Sequence, residues 1–129
     1  MAEASSPTNK LYAKIGALLA GVGAWIALDK GDMSAFDATT NALASEATES
    51  GVARAAATVT NETTTIAGDS CQWYKSFAVG ATVGLTGAGV MSASGSGDMW
   101  AWHRWPATVN AISGDTINET IKDKAEIGA

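Results

Sequence analysis

Two long stretches that are apolar and rich in small residues constrain what this chain can fold into. The first runs from Leu11 to Leu28 with Lys14 as its only charged residue before Asp29, and the second runs from Phe77 to Ala93. A helix over the first stretch would be about 27 Å long, close to the roughly 30 Å hydrocarbon thickness of a bilayer. The pattern therefore predicts an all-α fold, a hairpin of two Gly/Ala-rich apolar helices.

The rest of the chain is expected to complete a single domain around this hairpin. Ser6-Pro7 is typical of a helix start, and Thr116 with Glu119 matches a capping box that opens a short amphipathic helix. Residues 58–66 are β-branched, so they fit a short hairpin as well as a continuation of the connector. The predicted segments are helix 1 over 7–29, an acidic and partly helical connector over 32–69, helix 2 over 72–94, an aromatic belt over 98–106 and a tail helix over 115–127.

Small residues recur at helical spacing within both apolar stretches. Intervals of three and four residues place them on one face of each helix, which lets two backbones approach closely. This predicts that the chain packs helix against helix and self-assembles in many copies. The predicted helix-packing residues are Gly16, Ala20, Gly23, Gly80, Gly84 and Ala88.

Aromatic residues flank the second apolar stretch on both sides. Trp and Tyr favour the level of lipid headgroups, so these clusters predict interfacial anchors at the two ends of a membrane-spanning helix. Charge predicts that the connector faces outward and the termini inward, because the connector from Asp29 to Lys75 is acidic. Packing inside an equally apolar protein shell remains open. The predicted anchors are Trp73, Tyr74, Trp100, Trp102 and Trp105.

The formal net charge of −5 argues against contact with nucleic acid, which needs clustered Lys and Arg. The same acidic composition fits a protein that works in high salt. We therefore expect the partners to be further copies of the chain, with lipid as a second possibility.

The chain offers little for catalysis or metal binding. Cys71 and His103 are the only residues of their types, which is too few for a tetrahedral metal site and predicts neither a catalytic dyad nor an enzyme. Asp29, Asp32 and Asp37 lack the spacing of a calcium loop and are expected to be solvated charges. The Gly87-Ala-Gly89 run lacks the context of a dinucleotide site, so no cofactor is expected.

Two short motifs match the acceptor pattern for N-glycosylation. They centre on Asn61 and Asn118, each followed by Glu and Thr. Such motifs arise often by chance, so both residues are only candidate modification sites.

Two apolar Gly/Ala-rich segments, a polar Thr-rich connector and no catalytic set together resemble the small coat proteins of spindle-shaped archaeal viruses. That resemblance implies a helical-hairpin capsid protein that packs side by side into a shell. The chain resembles the two-helix pilins of conjugative secretion systems less closely. The sequence therefore predicts a self-assembling virus coat subunit, with a filament or pilus subunit, or a small accessory membrane protein or holin, as alternatives.

Overall fold

A computed structural model describes residues 8–20, 24–63 and 70–124. Over these described residues one helix and seven strands follow one another, and the strands form two antiparallel sheets. The elements are α1 (Asn9–Ala20), β1 (Trp25–Asp29), β2 (Ala55–Ala56), β3 (Thr58–Glu62), β4 (Ser70–Ala78), β5 (Val83–Met91), β6 (Met99–Ala111) and β7 (Thr116–Lys124). Sheet A has the strand order β2-β1-β5-β6, and sheet B has the order β3-β4-β7.

The main hydrophobic core lies between the two sheets. Sheet A contributes Ile26, Leu28 and Leu85, while sheet B contributes Trp73 and Phe77, and all five side chains are almost fully buried. Helix α1 lies against β3 and β4 of sheet B. The molecule is therefore a two-layer antiparallel β-structure with a helix added to one sheet.

The all-α prediction is wrong. Residues 72–94 fall on β4, β5 and the turns beside them, and the described part of predicted helix 1 divides into the helix Asn9–Ala20 and the strand Trp25–Asp29. Each Gly costs a helix about 1 kcal/mol relative to Ala, whereas Val and Thr favour strands. In β5 the buried Val83 and Leu85 alternate with less buried neighbours, which is the period of a half-buried strand.

The predictions for the flanking segments are also wrong. The connector contains no helix within its described residues; it forms turns, the short β2 and then β3, which pairs with β4. The predicted belt lies in β6, and the predicted tail helix is β7 over its described part. Ile117 and Ile121 of β7 pack toward the core with Glu119 between them, which is strand alternation.

No helix among the described residues is long and apolar enough to cross a membrane. Helix α1 is 12 residues long, whereas a span needs about 20. The prediction of a transmembrane hairpin is therefore wrong. The predicted membrane-embedded location, with the connector outward and the termini inward, is wrong for the same reason.

A long loop covers the outer face of sheet A. Its anchor is the fully buried Asp29, whose carboxylate accepts hydrogen bonds from the backbone N–H groups of Gly31 (3.0 Å), Ala44 (2.9 Å) and Ser45 (2.8 Å). A second small core forms beneath the loop, where Met91 and Met99 are packed by partly buried side chains, among them Leu43. Asp29 is therefore a structural residue and not the solvated charge that the sequence predicted.

Candidate assembly surfaces

Helix α1 turns its largest apolar side chains toward solvent. Leu11, Ile15 and Leu18 are 46%, 37% and 57% exposed, and their spacing of four and three residues aligns them on one face. We call these three residues the helix stripe. Large apolar side chains of an amphipathic helix normally face the core, so this helix has the reverse orientation.

The sheet-facing side of α1 carries the buried Gly16 and the partly buried Tyr12 and Ala13, and it lies toward β3 and β4. The small residues Gly16 and Ala13 allow the helix to approach the sheet closely. Lys10 and Lys14 form an exposed row next to the helix stripe, and α1 contains no acidic residue.

The remaining predicted helix-packing residues lie in other settings. Gly80 follows β4 and donates its N–H to the Ser50 carbonyl at 2.8 Å, and Gly84 lies in β5 beside Asn110. Ala88 is fully buried in the core between the sheets. The side chain of Ala20, at the end of α1, and Gly23 lie outside the described residues. The four described residues, Gly16, Gly80, Gly84 and Ala88, therefore lie in four different settings and share no helix face.

The glycines of β5 have a role that the sequence analysis missed. A Cβ at Gly87 would lie 2.5 Å from the Met33 sulfur, and one at Gly89 would lie 2.7 Å from the Met99 sulfur and 3.1 Å from Leu43. The covering loop thus packs directly on the β5 backbone. The sequence predicted close packing of one helix on another, whereas Gly87 and Gly89 lie where a loop packs on a sheet.

The predicted aromatic anchors are divided between the core and the surface. Trp73 is fully buried between the sheets, whereas Trp100 is 43% exposed. Trp102 donates its indole N–H to the Asp37 carbonyl at 3.1 Å and packs edge-to-face on Phe36. Tyr74, on β4, donates its hydroxyl to the Asn118 side chain at 3.1 Å. These residues form no belt at a common level.

Trp105 lies at the side where the edge strands of the two sheets meet. Glu119 of β7 is buried here, and its carboxylate accepts a hydrogen bond from the Trp105 indole at 2.9 Å. Its other oxygen is 2.6 Å from Nδ1 of the half-exposed His103. This three-residue contact joins β6 to β7 across the gap between the sheets. Glu119 was predicted only as part of a helix capping box, although an acid between two isoleucines at alternate positions was a signal of this contact.

An open groove of about 320 Å³ runs along this junction. Val109, 41% exposed, lies on its wall, and Ile112, 57% exposed, follows in the turn before β7. Asp115 holds that turn by accepting a hydrogen bond from the Ile112 N–H at 2.9 Å. We call this depression the seam groove; its lining residues are His103, Trp105, Val109, Thr116, Ile117, Asn118 and Glu119.

A second open depression, of about 510 Å³, lies beside an irregular part of β6. Its charged groups are engaged locally: Arg104 donates to the Ser34 carbonyl at 3.1 Å, and Asp32 accepts from the Ser34 N–H at 2.9 Å. The hydrogen bond from the Ser34 backbone holds the pKa of Asp32 below its usual value. Neither side chain is arranged for proton transfer.

The other residues considered for chemistry are dispersed. Cys71 is fully buried on β4, whereas His103 lies on β6 against Glu119, so the structure does not bring the two together as a dyad. Asn61 and Asn118 are both exposed on strands of sheet B. Within residues 8–20, 24–63 and 70–124, no three His, Cys, Asp or Glu side chains are grouped so that they could hold a metal ion.

Three of the acidic residues act in turns. Asp29, Asp32 and Asp37 each accept a hydrogen bond from the backbone N–H two residues further on, which is the geometry of an Asx turn. The side chain of Thr39 contributes a further bond that lowers the pKa of Asp37. Residues 29–39 therefore contain three carboxylate-stabilised turns.

The fold defines the chain as a two-layer antiparallel β-structure with an N-terminal helix. No protein-family model, curated protein or solved structure matches it.

Proposed function

We propose that this chain is a structural subunit that self-assembles into a repeating protein assembly, the kind of building block from which a virus coat is made. The observation that carries the proposal is the outward orientation of the helix stripe. A monomer gains nothing from exposing Leu11, Ile15 and Leu18 in a row, whereas a second protein surface placed over them removes that apolar area from water.

The positions of the exposed apolar side chains on the surface support the same proposal. Among the described residues, the large exposed ones lie only on α1 and on β6 with its following turn. The first set is the helix stripe, and the second is Trp100, Val109 and Ile112. Trp100 lies near the start of β6, whereas Val109 and Ile112 lie near its end and in the following turn. The helix stripe and this end of β6 are two different exposed apolar sites on one subunit, and such sites favour head-to-tail contacts, which build rings or open filaments. A filament subunit is therefore our second candidate.

Sedimentation velocity of the purified chain over a wide range of concentrations tests the proposal. We expect species larger than a monomer, and we expect Leu18→Gln to shift the distribution toward the monomer because it places an amide in the helix stripe. The matched control is Ala17→Gln, since Ala17 is exposed on α1 but lies outside the stripe. A wild-type chain that stays monomeric at every concentration would refute self-assembly.

A further inference from the structure

Asn118 and Thr120, the acceptor and the hydroxyl residue of the second N-glycosylation motif, lie side by side on the outer face of β7. Ile117, Glu119 and Ile121 point toward the core. Asn118 and Thr120 alternate with these residues, so they lie on the opposite face of the strand, and both are exposed. Strand β7 is also an edge strand of sheet B. The two side chains that define the motif are therefore presented together at the surface.

The contacts of Asn118 leave its amide nitrogen accessible. Its Oδ1 accepts a hydrogen bond from the Tyr74 hydroxyl at 3.1 Å, which holds Nδ2 on the other side of the amide group. Nδ2 itself donates no hydrogen bond to any residue that the structure describes. The register partner of Asn118 on β4 is the exposed Ser76, and the open seam groove borders Asn118 on the side toward β6. A bulky group attached to Nδ2 would therefore extend into solvent.

Asn61 has the same Asn-Glu-Thr motif but is held differently. Its Nδ2 donates a part-buried hydrogen bond to the Ser70 carbonyl at 2.9 Å. Its register partner on β4 is the fully buried Cys71, so Asn61 lies on the core-facing side of sheet B. The nitrogen to which a sugar would be attached is therefore already hydrogen-bonded to the neighbouring strand. The structure thus distinguishes two motifs that are identical in sequence.

We propose that Asn118 is an N-glycosylation site of the folded chain and that Asn61 is not. The sugar donor is a lipid-linked oligosaccharide phosphate, and the catalyst is an oligosaccharyltransferase. Nδ2 of Asn118 forms a bond to the anomeric carbon of the sugar, and the bond from that carbon to the donor's phosphate oxygen breaks. One amide proton passes to a base of the transferase, and the lipid phosphate leaves with the electron pair of the broken bond. The site goes beyond the self-assembly proposed above and does not depend on it.

Glycosylation of the purified, folded and unmodified chain in vitro tests the proposal. The chain is incubated with an oligosaccharyltransferase and a lipid-linked oligosaccharide, and peptide mass spectrometry measures the modified fraction at each Asn. Two synthetic peptides, residues 55–67 and 112–124, are the controls, because each contains one of the motifs without the fold. The transferase used is one that modifies both peptides, so that any difference in the folded chain comes from its structure.

We expect the folded chain to be modified at Asn118 and to remain unmodified at Asn61. Asn118→Gln should abolish the modification, whereas Asn61→Gln should leave it unchanged. Thr120→Val should also abolish it, because this change removes the hydroxyl of the motif and keeps a β-branched side chain in the strand. Asn118 and Thr120 are both exposed, so these variants should fold, and circular dichroism checks this.

Three results would overturn the proposal. The first is a folded chain that stays unmodified at Asn118 while the 112–124 peptide is modified, because exposure on β7 would then not suffice. The second is equal modification of Asn61 and Asn118 in the folded chain, because the contacts of Asn61 would then have no effect. The third is a chain from its natural source with the mass of the polypeptide alone. None of them bears on self-assembly, which sedimentation velocity of the unmodified chain tests separately.

Discussion

Replacing Asp29 by Asn tests whether this buried carboxylate holds the loop on the outer face of sheet A. One carboxylate oxygen accepts from the N–H groups of Gly31 and Ser45, and the other accepts from Ala44. An Asn amide has only one acceptor atom, so its NH₂ group must face a backbone donor. Flipping the amide makes the conflict worse, because the NH₂ would then face two donors.

The expected loss follows from these contacts. One charge-assisted hydrogen bond disappears and leaves the part-buried Ala44 N–H without its acceptor, which costs about 1.5–3 kcal/mol, and the two remaining bonds become weaker neutral ones. Asn also removes a buried charge, and this effect acts in the opposite direction. Because three N–H groups surround Asp29, the loss and weakening of these hydrogen bonds should outweigh the gain from removing the buried charge. We therefore expect the free energy of unfolding to fall by about 2–4 kcal/mol.

Urea denaturation of Asp29→Asn measures the change in the free energy of unfolding. The control is Asp32→Asn, because Asp32 is exposed and Asn can form the same turn, so its effect should stay within about 0.5 kcal/mol. Hydrogen exchange should show that residues 30–46 lose protection first. A variant as stable as the wild type, or more stable, would show that burying the charge outweighs its hydrogen bonds and would refute the anchoring role.

Three further predictions concern acid stability, one glycine and the single cysteine. The hydrogen bond from Lys30 lowers the pKa of Glu49, and local hydrogen bonds lower the pKa values of Asp32 and Asp37. Because these pKa values are lower in the folded chain than in the unfolded chain, the three carboxylates stabilise the fold above their unfolded pKa values. The free energy of unfolding should therefore fall as the pH is lowered below about 4. Gly51→Ala should destabilise by about 1–3 kcal/mol in urea denaturation, because Gly51 has a φ of 85° and its Cβ would collide with the Ala78 carbonyl, whereas Gly95→Ala, with open space, should be neutral. Cys71 is fully buried, so a maleimide should react with it only after denaturant is added, and rapid labelling of the native chain would contradict the core assignment.

Parts of the fold could be predicted from the sequence. The start of the chain was expected to be helical, and Asn9–Ala20 is a helix, but the pattern could not show that the chain becomes a strand at Trp25. Residues 58–66 were left open between two structures, and Thr58–Glu62 is a strand. Local composition carried these signals, since Val and Thr favour strands and Ala and Leu favour helices.

The tail shows how a short motif can predict the wrong secondary structure. Thr116 and Glu119 have the spacing of a capping box, but four of the six residues in Thr116-Ile-Asn-Glu-Thr-Ile121 are β-branched and favour a strand. The β-branched composition extends over the whole segment, whereas the box involves two residues. Ser113-Gly114 before it was a further signal, because Gly114 has a φ of 100° in the turn between β6 and β7.

The candidate site depends on a feature that hydrophobic patterning alone cannot reveal. A pattern shows that Leu11, Ile15 and Leu18 share one face of a helix, and the usual inference is that this face is buried in the same chain. In this molecule sheet B receives the face with Gly16 and Ala13, while Leu11, Ile15 and Leu18 remain exposed. Which face of an amphipathic helix is buried therefore depends on which face fits against its own sheet. The proposed self-assembly depends on the exposed face, because a second protein surface placed over it would remove its apolar area from water.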